Sequence, residues 1–183
     1  MKILTIGVLI MLLAGVSGNS QAQSRPFVPA NFVVPVVFEN EHFRIRTLTV
    51  NDVVKDYDAV MSSLDHLQGI FGPNESWPSA ELTFEQDLID LGWHQKEFQM
   101  RSTFAYTVVT LDEKRVIGCI YINPTSKGEF DADITMWVRA DVVSDGLDSI
   151  LFNTVKDWVS EDWAFEKPAY PGRSITWEQW LSL

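Results

Sequence analysis

The chain has 183 residues, a formal net charge of −11 and a single cysteine, Cys119. Its acidity disfavours nucleic acid and anionic membrane surfaces as partners, because both repel a negative protein. One cysteine also excludes an intramolecular disulfide in any compartment.

At the N-terminus, Met1-Lys2 precedes an apolar run from Ile3 to Val16 and a polar, small-residue stretch from Ser17 to Ser24. That layout predicts a secretory signal peptide over residues 1–22, cleaved after Ala22. The run is shorter than the roughly 20 residues a spanning helix needs. The mature protein is therefore expected to be periplasmic or extracellular with no stable membrane span, an uncleaved anchor being the alternative. Residues 23–41 carry three prolines among apolar residues and predict an extended arm. One domain is expected over residues 42–183.

Within it, HFRIRTL at residues 42–48 alternates apolar and basic residues with the period of a half-buried strand. Thr49 and Asp52 approximate a capping box, and the apolar spacing from Val50 to Leu67 predicts a helix. Two glycines and two prolines between Gly69 and Leu82 predict a loop. Thr83 with Gln86 opens a second helix to about Met100, with Phe84, Leu88, Leu91 and Phe98 inward. STFAYTVVTL and RVIGCIYIN, parted by Asp112-Glu113-Lys114, predict a hairpin. A turn at residues 124–128 leads to a strand from Asp131 to Val138. A last amphipathic helix follows, with Leu147, Ile150, Leu151, Val155, Trp158 and Val159 on one face. Cys119 is expected as a small buried hydrophobe of its strand.

The stretch from Asp133 to Val159 (DITMWVRADVVSDGLDSILFNTVKDWV) reads as strand, acidic loop with one glycine, and helix. That order resembles the cofactor-binding segment of the GNAT acetyltransferase superfamily, and the element order from His42 to about Ser160 resembles the first two thirds of its domain. The resemblance implies an α+β fold, a mixed, mainly antiparallel sheet flanked by helices, here with an irregular aromatic tail at residues 161–183. It implies N-acyl transfer from acetyl-CoA to an amine, either a small molecule or a peptide. Trp137, Val138 and Arg139 would offer backbone groups to the acyl arm, and Ser144, Gly146 and Leu147 would face the pyrophosphate at a helix N-terminus. Trp137 and Val138 read equally as core residues. The loop departs from the family pattern: Val143 replaces a basic or amide residue, Asp148 a small one, and Asp141 and Asp145 add negative charge that repels a polyanion. Asp148 reads equally as the cap of its own helix.

Candidate acid–base groups are Asp133, Tyr121, His94 and Glu97, the last two spaced to share one helix face. His42, His66 and His94 show no metal-binding spacing, so no metal is expected. The tail region concentrates Trp158, Trp163, Trp177 and Trp180, readable as a clasp over an open sheet edge or as a ligand platform. Two functions are carried forward: a GNAT-like N-acyltransferase with a degenerate cofactor loop, and an exported, non-catalytic module of the same fold that binds a small ligand or a protein.

Overall fold

The alternation of apolar residues in the central strands produces one sheet with two buried faces. The structure, a computed structural model, describes residues 26–183. The leader expected at residues 1–22 lies outside the described residues. Six strands lie in chain order: β1 (Val37–Glu39), β2 (Arg44–Thr47), β3 (Phe104–Val109), β4 (Val116–Asn123), β5 (Ala132–Val138) and β6 (Pro168–Ala169). The first four junctions are antiparallel, and β6 joins β5 in parallel. Helices α1 (Val53–Met61), α2 (Leu64–Leu67), α3 (Phe84–Met100), α4 (Leu147–Asp162) and α5 (Trp177–Ser182) complete the fold.

Side chains alternate across a strand, so β5 sends Ile134, Met136 and Val138 to one face and Asp133, Thr135 and Trp137 to the other. The first face packs on Leu151, Val155, Trp158 and Val159 of α4 and is apolar throughout. The second packs on α1 and α3 through Val60, Leu67, Leu91, Cys119 and Trp137, but its β4–β5 end carries Tyr121, Asn123, Asp133 and Thr135. A polar end on a buried face marks the candidate site. Across the register, Tyr121 lies opposite Thr135 and Asn123 opposite Asp133.

The proline-rich arm docks. Val28 is buried, Phe27, Phe32 and Val34 pack on the α4 face, and Tyr106 Oη donates to the Pro35 carbonyl at 2.6 Å. Arg101, in the left-handed region at φ 60°, closes α3 and reaches the Pro29 and Phe32 carbonyls. The arm then continues into β1. The first predicted helix divides at Ser62-Ser63, leaving α1 and the single turn α2. Thr83 Oγ1 caps α3 from Gln86 N as expected. Two residues of its expected inward face differ, because Phe84 and Leu88 are about two-fifths exposed (41% and 39%). The face that α3 turns inward carries Asp87, Asp90, Leu91 and His94 instead, lining a cavity rather than filling a core. The tail also forms regular structure, the strand β6 and the helix α5.

Candidate functional site

Parallel pairing between β5 and β6 covers only Ala132 with Pro168 and Asp133 with Ala169. Past that point the two chains part. The fork arises because Tyr170 turns into the α4-side core and Pro171, which has no amide proton, cannot extend the ladder. Two clefts open on the sides of this fork, and Thr135, Pro171 and Trp177 line both.

The larger cleft, about 610 Å³, lies between the β4–β5 floor, α3, the loop before it and the tail. Tyr121, Asn123, Asp133 and Thr135 form the floor, and α3 contributes Asp87, Asp90, Leu91, Trp93 and His94. Phe71, Glu75 and Trp77 come from the loop, and Trp177 and Trp180 from α5. The rings support one another: Phe71 stands 5.1 Å from Trp77 and 5.5 Å from Tyr121, and His94 lies 5.2 Å from Tyr121. Trp177 is held against the backbone of Gly172, where a Cβ would meet the indole nitrogen at 2.6 Å. Glycine is required there twice over, because φ is +73°.

Among the described residues the cleft is electrostatically one-sided: five carboxylates line it and no lysine or arginine does. Burial pushes the Asp56 carboxyl up to about 7, helped by the charge of Asp87, and Asp56 Oδ1 accepts from the Cys119 thiol at 3.4 Å. Burial, with Asp90 nearby, raises Asp87 to about 6. Asp133 is also raised by burial, although the Asn123 amide, 3.4 Å away, partly offsets this. Burial lowers His94, against the opposing pull of Glu97 and Asp90, and so favours the neutral imidazole. The Tyr121 ring lines the cleft while its hydroxyl accepts from Trp137 Nε1 at 3.4 Å. Burial holds its proton well above the usual tyrosine range.

The smaller cleft, about 270 Å³, is lined by His66, Gln68, Gly69, Met136, Val143 and residues at the start of α4. Gly146, at φ +76°, turns the chain into that helix. Arg173 crosses this cleft, ion-paired to both oxygens of Asp148 with its Nη2 2.6 Å from Oδ1. Asp141 is likewise paired, by Arg115 and Arg139. Two of the three loop aspartates are thus ion-paired, Asp148 by Arg173 and Asp141 by both Arg115 and the neighbouring Arg139.

Fold and site together can be compared with solved proteins. The ribosomal-protein-S5-alanine acetyltransferase from Vibrio fischeri superposes with a TM-score of 0.54 and 21% identity, over 68% of this chain and 67% of that one. The fold is that of the GNAT acetyltransferases. A RimL ribosomal L7/L12 α-N-protein acetyltransferase, solved with coenzyme A, gives 0.55 and 14% over 69% and 70%. The microcin C7 self-immunity acetyltransferase MccE, solved with acetyl-CoA and AMP, gives 0.52 and 11% over 68% and 67%. Neither protein-family models nor curated proteins returned a match.

On this GNAT fold, Asp133, Tyr121 and His94 converge on the larger cleft. Glu97 does not line it; its carboxylate accepts from Thr103 Oγ1. Trp137 and Val138 are core side chains on opposite faces, leaving only their backbone toward the fork. Arg139 pairs with Asp58 and Asp141, Ser144 is exposed, and Leu147 is buried under α4. Sequence reasoning missed Asp56, Glu75, Asp87 and Asp90. The signal for two of these was present: Asp87, Asp90, Leu91 and His94 follow helical spacing, but a search for apolar faces passes over aspartates. Among the described residues, no three His, Cys, Asp or Glu side chains are placed to hold a metal ion.

Proposed function

We propose that this protein is a GNAT-fold N-acyltransferase that moves an acyl group from an acyl-CoA, acetyl-CoA being the simplest, to an amine in the acidic cleft. The observation that carries this reading is the meeting of two chemically different clefts at the fork, with Asp133 beside the junction. A two-substrate transfer needs such a junction, because the reacting atoms must be brought within contact distance.

The smaller cleft fits an acyl-CoA in two respects. Among the described residues the edge of β5 beyond Asp133 has no strand partner toward the fork, so its backbone can meet an extended chain once Arg173 Nη2, 3.5 Å from the Met136 carbonyl, moves aside. The start of α4 offers the partial positive charge of a helix N-terminus. The fit requires Arg173 to exchange Asp148 for a phosphate, two anions competing for one guanidinium. A bound acyl-CoA would supply a carbonyl activated by its thioester.

On the amine side, the carboxylates hold an ammonium, and the reacting nitrogen must lose a proton before it can attack. Asp133 accepts that proton, since burial has raised its affinity for one. Thr135, one register step nearer the fork, orients the nitrogen. The leaving thiol has an ordinary pKa of about 8.5, so it departs without a dedicated acid.

The experiment is thiol release from acetyl-CoA with a panel of amines. Asp133→Asn should lower kcat by about 100-fold or more while acetyl-CoA affinity is unchanged. No thiol release with any amine, from protein that melts cooperatively, overturns the reading. The alternative, an exported non-catalytic binder, would keep the Arg173–Asp148 pair closed across the smaller cleft. Amine binding without turnover is its signature.

A further inference from the structure

The identity of the amine can be narrowed, on the basis of the transfer reading above. Asp87 is 5% exposed, and its Oδ2 has no hydrogen-bond partner among the described residues. A buried carboxylate oxygen without a donor is costly. Asp87 lines a cavity together with Asp90, and Asp56 lies close enough behind that the charge of Asp87 raises its proton affinity. Asp133 stands separately, at the base of the fork. Among the described residues no lysine or arginine lines the cleft to balance either acid; Lys96 and Lys127 stand over Trp93 and Trp180, 4.3 and 5.6 Å from the ring centres, without lining it.

A monoamine placed for reaction at Asp133 would leave Asp87 unanswered. A second ammonium on the same molecule answers it. The cleft that holds both acids is also lined by Phe71, Trp77, Trp177 and Trp180, rings able to cover methylene groups and attract cations through their faces. The volume, about 610 Å³, is that of a small-molecule site.

We propose that the cleft binds an aliphatic di- or polyamine, with a distal ammonium held by Asp87 and the reacting nitrogen beside Asp133. The reacting nitrogen gives one proton to Asp133 and forms a C–N bond to the acyl carbon. The C–S bond breaks with its electron pair on sulfur, which takes the second proton that the new amide nitrogen sheds, and the distal nitrogen keeps its proton throughout.

Calorimetric titration of the full chain with butylamine, diaminobutane and spermidine, without any acyl donor, tests this apart from catalysis. Diaminobutane should bind at least about tenfold more tightly than butylamine, a difference of about 1.4 kcal/mol. Asp87→Asn should abolish that preference, bringing diaminobutane affinity to within about twofold of that for butylamine. Glu75→Gln, at the loop wall, serves as a second variant that should narrow the preference should Asp87→Asn prove unstable. Equal affinity for butylamine and diaminobutane overturns the proposal, as does a preference that survives in a folded Asp87→Asn protein. Diamine selectivity without thiol release would uphold this inference and sink the transfer reading. Thiol release to monoamines without diamine selectivity would do the reverse.

Discussion

Asp56 and Asp87 show how a binding site is held at the expense of stability. Both are more than nine-tenths buried, and neither has a basic partner in the cleft. Their folded-state proton affinities, about 7 and about 6, exceed the ordinary aspartate value of 3.8. Between roughly pH 4 and 7 the folded protein therefore holds protons that the unfolded chain has released, and stability falls as pH rises through that window. Thermal melting of the ligand-free protein should show a higher Tm at pH 5 than at pH 7.5. Asp87→Asn should flatten the profile and raise stability at pH 7.5 by roughly 1–3 kcal/mol, the usual cost of a buried unsatisfied polar group. A Tm independent of pH in the unaltered protein would show that these carboxyls are solvated and would remove the charge imbalance from the argument.

At the scale of elements, the strands, the hairpin, α3 and α4 were legible because each is a local pattern: alternation, helical spacing and a capping threonine. The tail was not, since its folding depends on partners distant in sequence. β6 is two residues long and exists only because β5 presents an edge to it. The four tail-region tryptophans divide between the two expected roles. Trp158 and Trp163 are core, Trp163 standing 5.0 Å from Phe104 and 5.8 Å from Trp158, whereas Trp177 and Trp180 line the cleft. The ion pairs that Arg115 and Arg173 make with the acidic loop were not legible for the same reason, because neither residue is its neighbour in sequence. Two truncations separate the roles. Removing residues 161–183 deletes buried Trp163, Ala169 and Tyr170 and should give insoluble protein, since a lost core tryptophan alone costs about 3–5 kcal/mol. Removing only residues 174–183 should leave a cooperative fold with a Tm lower by a few degrees but a diamine affinity reduced about tenfold or more, because only the aromatic wall is lost. Equal loss of stability in both would mean that α5 belongs to the core.

For the whole molecule, a net charge of −11 acts in opposite directions on the two proposed ligands. It draws a polyamine in and repels the phosphates of an acyl-CoA, and both effects shrink with salt as the screening length falls to about 8 Å at 0.15 M. Salt should therefore weaken amine binding while strengthening that of acetyl-CoA. The ion pair across the smaller cleft sharpens this into a local test. In Asp148→Asn, Arg173 loses its strong anionic partner, and the cleft gains a free guanidinium where a phosphate is expected. That variant should bind acetyl-CoA more tightly at low salt, by about tenfold, with the gain declining as salt is added. Arg173→Ala should act with the opposite sign, since it removes the base and leaves Asp148 facing the phosphates. Titration of both variants and the unaltered protein with acetyl-CoA at two salt concentrations decides the matter. Weaker binding in both variants would assign the pair a structural task, fastening the tail to α4. Unchanged binding in both would place the phosphates elsewhere and remove the smaller cleft from the reaction.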